Sequence, residues 1–163
     1  MKKGIQVHIP GFGVVDIKTI VSDYTGTHSC GGALTAGVRE ALSKLSESVD
    51  IHILTSDTFG TCREELSGLD VIIHILDGSK HDAQKAAYVE NIGAKHVAAF
   101  GNGNNDRLML KAVKDAGGLA VAVDNGEGCA TDAILSSNVF VHGSIEALNI
   151  MLDTRRLTAT LRF

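Results

Sequence analysis

Residues 21–27 read VSDYTGT: an apolar run from Val14 to Ser22, broken by Asp16, Lys18 and Thr19, ends in the carboxylate of Asp23 and then turns through Thr25-Gly26-Thr27. The plan recurs at 96–110, HVAAFGNGNNDRLML, where apolar residues empty into the polar loop Asn102 to Asp106. Thr55 and Ser56 close a third apolar stretch, IHIL at 51–54. These residues offer carboxylate, hydroxyl and amide oxygens. In open parallel α/β sheets ligands bind beyond the carboxyl ends of the strands, where the winding reverses, so the three loops are expected to form one oxygen-rich cluster. Asp, Asn, Thr and Gly also cap helices and form turns. Asp57, Thr58 and Asp82 are read that way, whereas Thr-Gly-Thr behind a strand-end carboxylate exceeds what a cap requires.

The elements that must position this cluster follow from periodicity. IQVHI and VVDIKTIVS flank Pro10-Gly11, which suits the centre of a type II turn and predicts an opening β-hairpin. Val38, Ala41, Leu42, Leu45 and Val49 follow helical spacing. Beyond the strand at 51–54, a helix is expected from Thr58 to Leu66, stopped by Gly68, then a strand at 71–76. Asp82 is expected to cap the helix that ends at Gly93. Strands at 96–100 and 119–123 bracket a helix starting at Asn105 or Asp106. A helix near 130–136, a strand at 139–141, a helix from Ser144 and a final strand, LTATLRF, complete the chain. Continuously apolar strands alternating with helices predict a three-layer Rossmann-like parallel sheet covered by helices on both faces, as a single domain over 1–163.

In this setting DYTGT resembles the first motif of the haloacid dehalogenase superfamily, Asp-x-Asp/Thr-Gly-Thr, and its threonine variant is similar to the Asp-Lys-Thr-Gly-Thr of the P-type ATPases. The superfamily's other motifs have counterparts in order: Thr55 closing HILTS, Lys85 in DAQKAAYVENIG, and GNGNND at 101–106. The resemblance covers about 15 to 152. It implies that Asp23 is a nucleophile forming an aspartyl-phosphate, that Thr55, Ser56, Lys85 and Gly26 hold the phosphoryl group, and that Asp23, the Thr25 carbonyl, Asn102 and Asp106 bind Mg²⁺. Only a short hairpin and one helix fit between Thr27 and Thr55, and one helix and one strand between Thr55 and Lys85, so no cap domain is expected. The chain thus resembles the small soluble relatives of the P-type ATPase phosphorylation domain.

Two positions depart from the superfamily's phosphatases. Thr25 stands where those enzymes carry an aspartate that protonates the leaving group and activates water, and a threonine hydroxyl is no general acid near pH 7. Asn102 replaces the first acid of the last motif and brings an oxygen but no charge.

Other residues carry weaker signals. His52, His74 and His96 lie at strand positions and His8 in the hairpin, where packing roles outweigh metal binding. His28 follows the first motif and is placed within reach of substrate; Cys30 is a loop thiol. GNGNND has Asp106 where a dinucleotide fingerprint needs its third glycine. A net charge of −4 with scattered Lys and Arg offers no footprint for nucleic acid. Three separated cysteines indicate neither a disulfide framework nor a zinc site and fit a reducing compartment. No apolar stretch approaches the ~20 residues of a membrane span, and the N-terminus lacks a signal-peptide core, so a cytoplasmic protein is expected.

The leading expectation is a Mg²⁺-dependent, capless phosphatase-like hydrolase acting on an unidentified phosphorylated substrate through Asp23. The alternative is a regulatory module that binds phosphate and Mg²⁺ without useful turnover; a pump component would need a membrane segment. A capless site lies open, so water exclusion calls for a macromolecular substrate or a neighbouring subunit, and a homo-oligomer is expected.

Overall fold

Pro10 and Gly11 turn the opening hairpin, in which β1 (Ile5–Ile9) pairs antiparallel with β2 (Gly13–Ile17). Gly11, at φ +77°, takes the left-handed conformation that a type II turn requires. The computed structural model describes all residues, Met1–Phe163. The apolar run that reads as one strand is two, because Lys18 is a crossing point. Its N–H donates to the His96 carbonyl at 2.9 Å and its carbonyl accepts from Asp50 at 3.0 Å. β2 therefore stays with the hairpin, while β3 (Thr19–Ser22) enters the central sheet.

That sheet has six parallel strands in the order β10-β9-β8-β3-β6-β7. They are β3, β6 (Asp50–Thr55), β7 (Ile72–Ile75), β8 (Val97–Gly101), β9 (Leu119–Asp124) and β10 (Val139–His142). The chain starts in the middle, winds outward through β6 and β7, and returns to the other flank for β8. The reversal thus falls between β3 and β8, where a ligand crevice opens in such sheets.

Alternation of side chains divides the core into two layers. Ile20, Ile51, Ile53, Phe100 and Val121 face α1 (Val38–Ser46), α6 (Ser144–Leu152) and α7 (Thr154–Leu161), together with the hairpin's Ile9, Val15 and Ile17. Val21, Leu54, Ala99 and Ala120 face α3 (His81–Ile92), α4 (Arg107–Asp115) and α5 (Thr131–Leu135). Burial on both faces is why these strands read as unbroken apolar runs. No cap domain is inserted. Between Thr27 and Thr55 lie only the hairpin of β4 (Ser29–Cys30) and β5 (Ala33–Leu34) and α1, as expected.

Three other elements correct the sequence reading. LTATLRF is not a strand: Leu157 and Leu161, also four apart, pack toward the core from α7, and the Asp153 carboxylate caps that helix by accepting from the Arg155 N–H at 3.2 Å. The helix expected over 58–66 shrinks to one turn, α2 (Cys62–Glu65), because residues 58–60 turn and Asp57 Oδ1 accepts the N–H groups of Thr61 and Cys62, each at 3.1 Å. Asp82 does not cap α3; it lies inside the first turn, accepts from Ala83 and pairs with Arg107 at 3.1 Å.

Candidate active site

Asp23 leaves the end of β3 with its N–H given to the Phe100 carbonyl of β8 at 3.0 Å, which ties it to the reversal point. Lys85 reaches it from the middle of α3. Its Nζ donates to Asp23 Oδ1 at 2.8 Å and to Asp106 Oδ1 at 2.7 Å. Asp106 Oδ2 in turn accepts the N–H groups of Asn102 and Gly103, each at 3.0 Å, so the loop after β8 wraps around this carboxylate. The Lys85 and Asp106 side chains are 0% exposed and that of Asp23 is 7% exposed. Only Asp23 reaches the surface, and Lys85 engages just one of its oxygens, Oδ1.

The charges do not balance: two carboxylates share one ammonium. Burial, then repulsion from Asp106, push the Asp23 carboxyl up to about 6 against the pull of Lys85. For Lys85, burial alone would lower the pKa, but the two carboxylates outweigh it and raise the value, so the ammonium stays charged.

The loop after Asp23 closes against Asn102. Thr27 Oγ1 donates to Asn102 Oδ1 at 3.3 Å, and Asn102 Nδ2 donates to the Gly128 carbonyl at 3.3 Å. Gly26, at φ +76°, has no room for a side chain, since a Cβ would collide with Asn102 Nδ2. Its N–H is already given to the Ser29 carbonyl at 3.1 Å, so Gly26 serves the site by shape. Thr25 Oγ1 is buried without a partner, an unused hydroxyl in the loop. Thr55 is fully buried at the end of β6 and accepts from the Asp57 N–H at 3.0 Å, while Ser56 Oγ lies 3.4 Å from Thr58 Oγ1. Neither is hydrogen-bonded to the Asp23, Lys85 and Asp106 group, although β6 lies beside β3.

Of the remaining sequence candidates, His28 is fully buried away from the crevice. Its Nε2 lies 2.8 Å from Ser22 Oγ and its Nδ1 2.7 Å from Ser144 Oγ, tying β3 to the start of α6. His52 and His74 flank the Tyr88 hydroxyl at 2.7 and 2.8 Å. Cys30 is exposed on the β4–β5 turn. The widest concavity, about 570 Å³ and lined by Lys3, Lys18, Lys44 and Met151, lies at the opposite, amino-terminal edge of the sheet and takes no part in the site.

His28 makes stability depend on pH. Burial lowers its pKa from 6.5 to about 4, so between these values the unfolded chain takes up the proton first; its contribution is full above 6.5 and is lost as pH falls through 4. Denaturant unfolding should show wild type losing about 2 kcal/mol more than His28→Gln between pH 7 and pH 5. Equal losses would show that His28 is not buried as a neutral ring.

Sequence reading missed the loop after β9. Asn125 Nδ2 donates to Thr35 Oγ1 at 2.7 Å, and Glu127 Oε1 accepts from the Gly31 N–H at 2.8 Å, so this loop is latched to the β4–β5 hairpin across the crevice. Its composition, DNGEGCAT, reads as a turn; the one signal was its place after a strand of the same sheet.

The haloacid dehalogenase-like hydrolase family model matches residues 67–138, the stretch that holds Lys85 and GNGNND. This match supports the kinship with the haloacid dehalogenase superfamily that the motifs imply. An uncharacterized protein of Methanocaldococcus jannaschii is 41% identical over 94 residues, spanning 53% of this chain and 97% of that one. The fold is similar to that of the cobalt-bound deoxy-D-mannose-octulosonate 8-phosphate phosphatase of Haemophilus influenzae, with a TM-score of 0.63 at 14% identity over 88% of this chain and 91% of that one. It is also similar to the 3-deoxy-D-manno-octulosonate 8-phosphate phosphatase of Moraxella catarrhalis in complex with magnesium, phosphate and KDO, with a TM-score of 0.58 at 17% identity over 90% of this chain and 87% of that one. No helix of the chain is long and apolar enough to cross a membrane.

Proposed function

We propose that this protein transfers phosphoryl groups to Asp23 and then to water. One observation carries the reading: within a buried group of three charges at the reversal point, Asp23 alone is reachable from outside, through the oxygen that Lys85 leaves free. Oδ2 bonds to phosphorus as the bond to the leaving oxygen breaks, and that oxygen takes up a proton. Water then attacks the same phosphorus, releasing inorganic phosphate and the Asp23 carboxylate. Lys85 fixes the nucleophile's other oxygen and offers positive charge to the phosphoryl group. Thr55 and Ser56, at the neighbouring strand end, are its other proposed contacts.

The donors fit a hard cation. The Asp23 carboxylate, the Thr25 carbonyl and Asn102 Oδ1 are oxygens near an uncompensated negative charge, which suits Mg²⁺ with several waters retained. Bound there, Mg²⁺ would neutralise charge on the phosphoryl oxygens. Asp106 has both oxygens committed, to Lys85 and to two backbone amides, so its part is to hold Lys85 and the Asn102 loop in place. Thr25 and Asn102 favour a second reading, a phosphate- and Mg²⁺-binding module without useful turnover.

Trapping separates the two. With an activated phosphate donor, wild type should accumulate phospho-Asp23, and Thr25→Asp, which adds a carboxylate beside the attacking water, should shorten its lifetime and raise steady-state phosphate release severalfold. No phosphoenzyme in wild type and no gain in Thr25→Asp would leave the binding module as the reading.

A further inference from the structure

The site lacks a proton-handling group at position 25, yet a carboxylate stands beside the loop that follows Asp23. β9 lies two strand positions from β3, about 10 Å at the usual spacing. The loop after β9 nevertheless carries Glu127 across the end of β8 to the Asp23 loop. A Cβ on Gly26 would lie 2.9 Å from Glu127 Oε2 and would also meet Asn102 Nδ2, so Glu127 converges with Asn102 on the third residue after Asp23. The side chain is held from one end only. Oε1 accepts from the Gly31 N–H at 2.8 Å, while Oε2 has no hydrogen bond or ion pair within the chain.

The latch is set at both ends. Asp124, the last residue of β9, accepts the N–H groups of Gly126 and Gly128 on Oδ1 at 3.0 and 3.1 Å, which folds residues 125–128 into a tight turn with Glu127 at its tip. Asn125, bonded to Thr35, fixes the near side of that turn against the chain leaving the hairpin. No residue in the turn requires a carboxylate at 127 for its own geometry.

We infer that Glu127 is a catalytic residue: its carboxylate takes the proton from the water that attacks phospho-Asp23, the task that Thr25 cannot perform. The inference rests on the phospho-aspartate reading above. In the step, a water O–H bond breaks, its proton passes to Glu127 Oε2, and the water oxygen bonds to phosphorus. The bond from phosphorus to Asp23 breaks, its electron pair returning to the carboxylate, and the proton later leaves to solvent. No other reactant is needed.

The decisive variant is Glu127→Gln, because the amide keeps an oxygen for the Gly31 N–H and so keeps the hairpin latched while losing the base. Phosphoenzyme decay is measured after rapid mixing with an activated phosphate donor at saturating Mg²⁺, in wild type, Glu127→Gln, Thr25→Asp and the double variant. Glu127→Gln is expected to form phosphoenzyme at the wild-type rate and to lose it about 10²-fold more slowly. In the double variant the aspartate at 25 should restore most of that decay, a rescue that a merely structural role for Glu127 would not give. Unchanged decay in Glu127→Gln, or slow decay that Thr25→Asp leaves uncorrected, overturns the inference while the Asp23 reading stands. A defect present at limiting Mg²⁺ and absent at saturation also overturns it, assigning Glu127 to cation capture instead. A wild type with no Asp23-dependent phosphoenzyme removes both.

Discussion

If the proposed function holds, Asp23→Asn should lower Mg²⁺-dependent phosphate release by on the order of 10³-fold or more, because the amide neither attacks phosphorus nor carries charge to a cation. The structure adds an expectation about stability. In wild type the folded-state pKa of Asp23 is about 6, above its ordinary 3.8, so the favourable contribution of the protonated form is complete below 3.8 and is lost as pH rises through 6. At pH 7 to 8 the ionised carboxylate is buried beside Asp106 with only a share of Lys85. Asparagine stays neutral throughout, so the inactive variant should melt at or above the wild-type temperature in this range, while Lys85 keeps Asp106 as a partner. Calorimetry at pH 7.5 beside a phosphate-release assay checks both halves. Retained turnover removes Asp23 as nucleophile, and a fall of many degrees shows that its charge is needed for folding.

Lys85→Met has the opposite profile. It removes the single cation shared by two buried carboxylates, and breaking a buried ion pair from one side costs about 3–5 kcal/mol. For a chain of this length that corresponds to a fall in melting temperature of roughly 10 °C. Because the damage is unpaired negative charge, acid should reduce the deficit by protonating the carboxylates, and adding Asp106→Asn should recover much of the stability at neutral pH. Activity should not return with it, since neither change restores positive charge beside the phosphoryl group. Thermal melts of the single and double variants at pH 5 and 7.5 decide the matter. A Lys85→Met protein melting within a degree or two of wild type would mean that the ammonium is not buried in solution.

The features that were legible in the sequence are those governed by local repetition. Short apolar runs bounded by turn residues, such as LAVAV (119–123) between Gly118 and Asp124, read as strands buried on both faces, and DYTGT with GNGNND marks two strand ends by composition. Legibility fails where one pattern serves two periods. Leu157 and Leu161 are four apart, yet the intervening Thr-Ala-Thr also alternates like a strand, and only the Asp153 cap and the packing on the core select the helix. The break at Lys18 was hidden because it depends on partners at His96 and Asp50, far along the chain. His28 sits in a loop by sequence but is enclosed by Ser22 and Ser144, a contact spanning 116 residues on one side. Glu127 lay in a stretch whose glycines announce a turn and say nothing of what the turn leans on.

Helix α3 fully buries only Lys85 and Val89, so it is moored to the sheet through an ion as much as through apolar contact. Its local opening free energy and the chemical state of Asp23 are therefore linked. Opening α3 withdraws the ammonium from both carboxylates, and whatever engages Asp23 changes what Lys85 gains by staying. By reciprocity, a ligand that binds the closed helix more tightly than the open one lowers the population of open helix by the same factor. Fraying of α3, some distance from the crevice mouth, is thus a reporter of occupancy built into the chain. Substitutions on its exposed face that alter helix propensity act on the site without touching it.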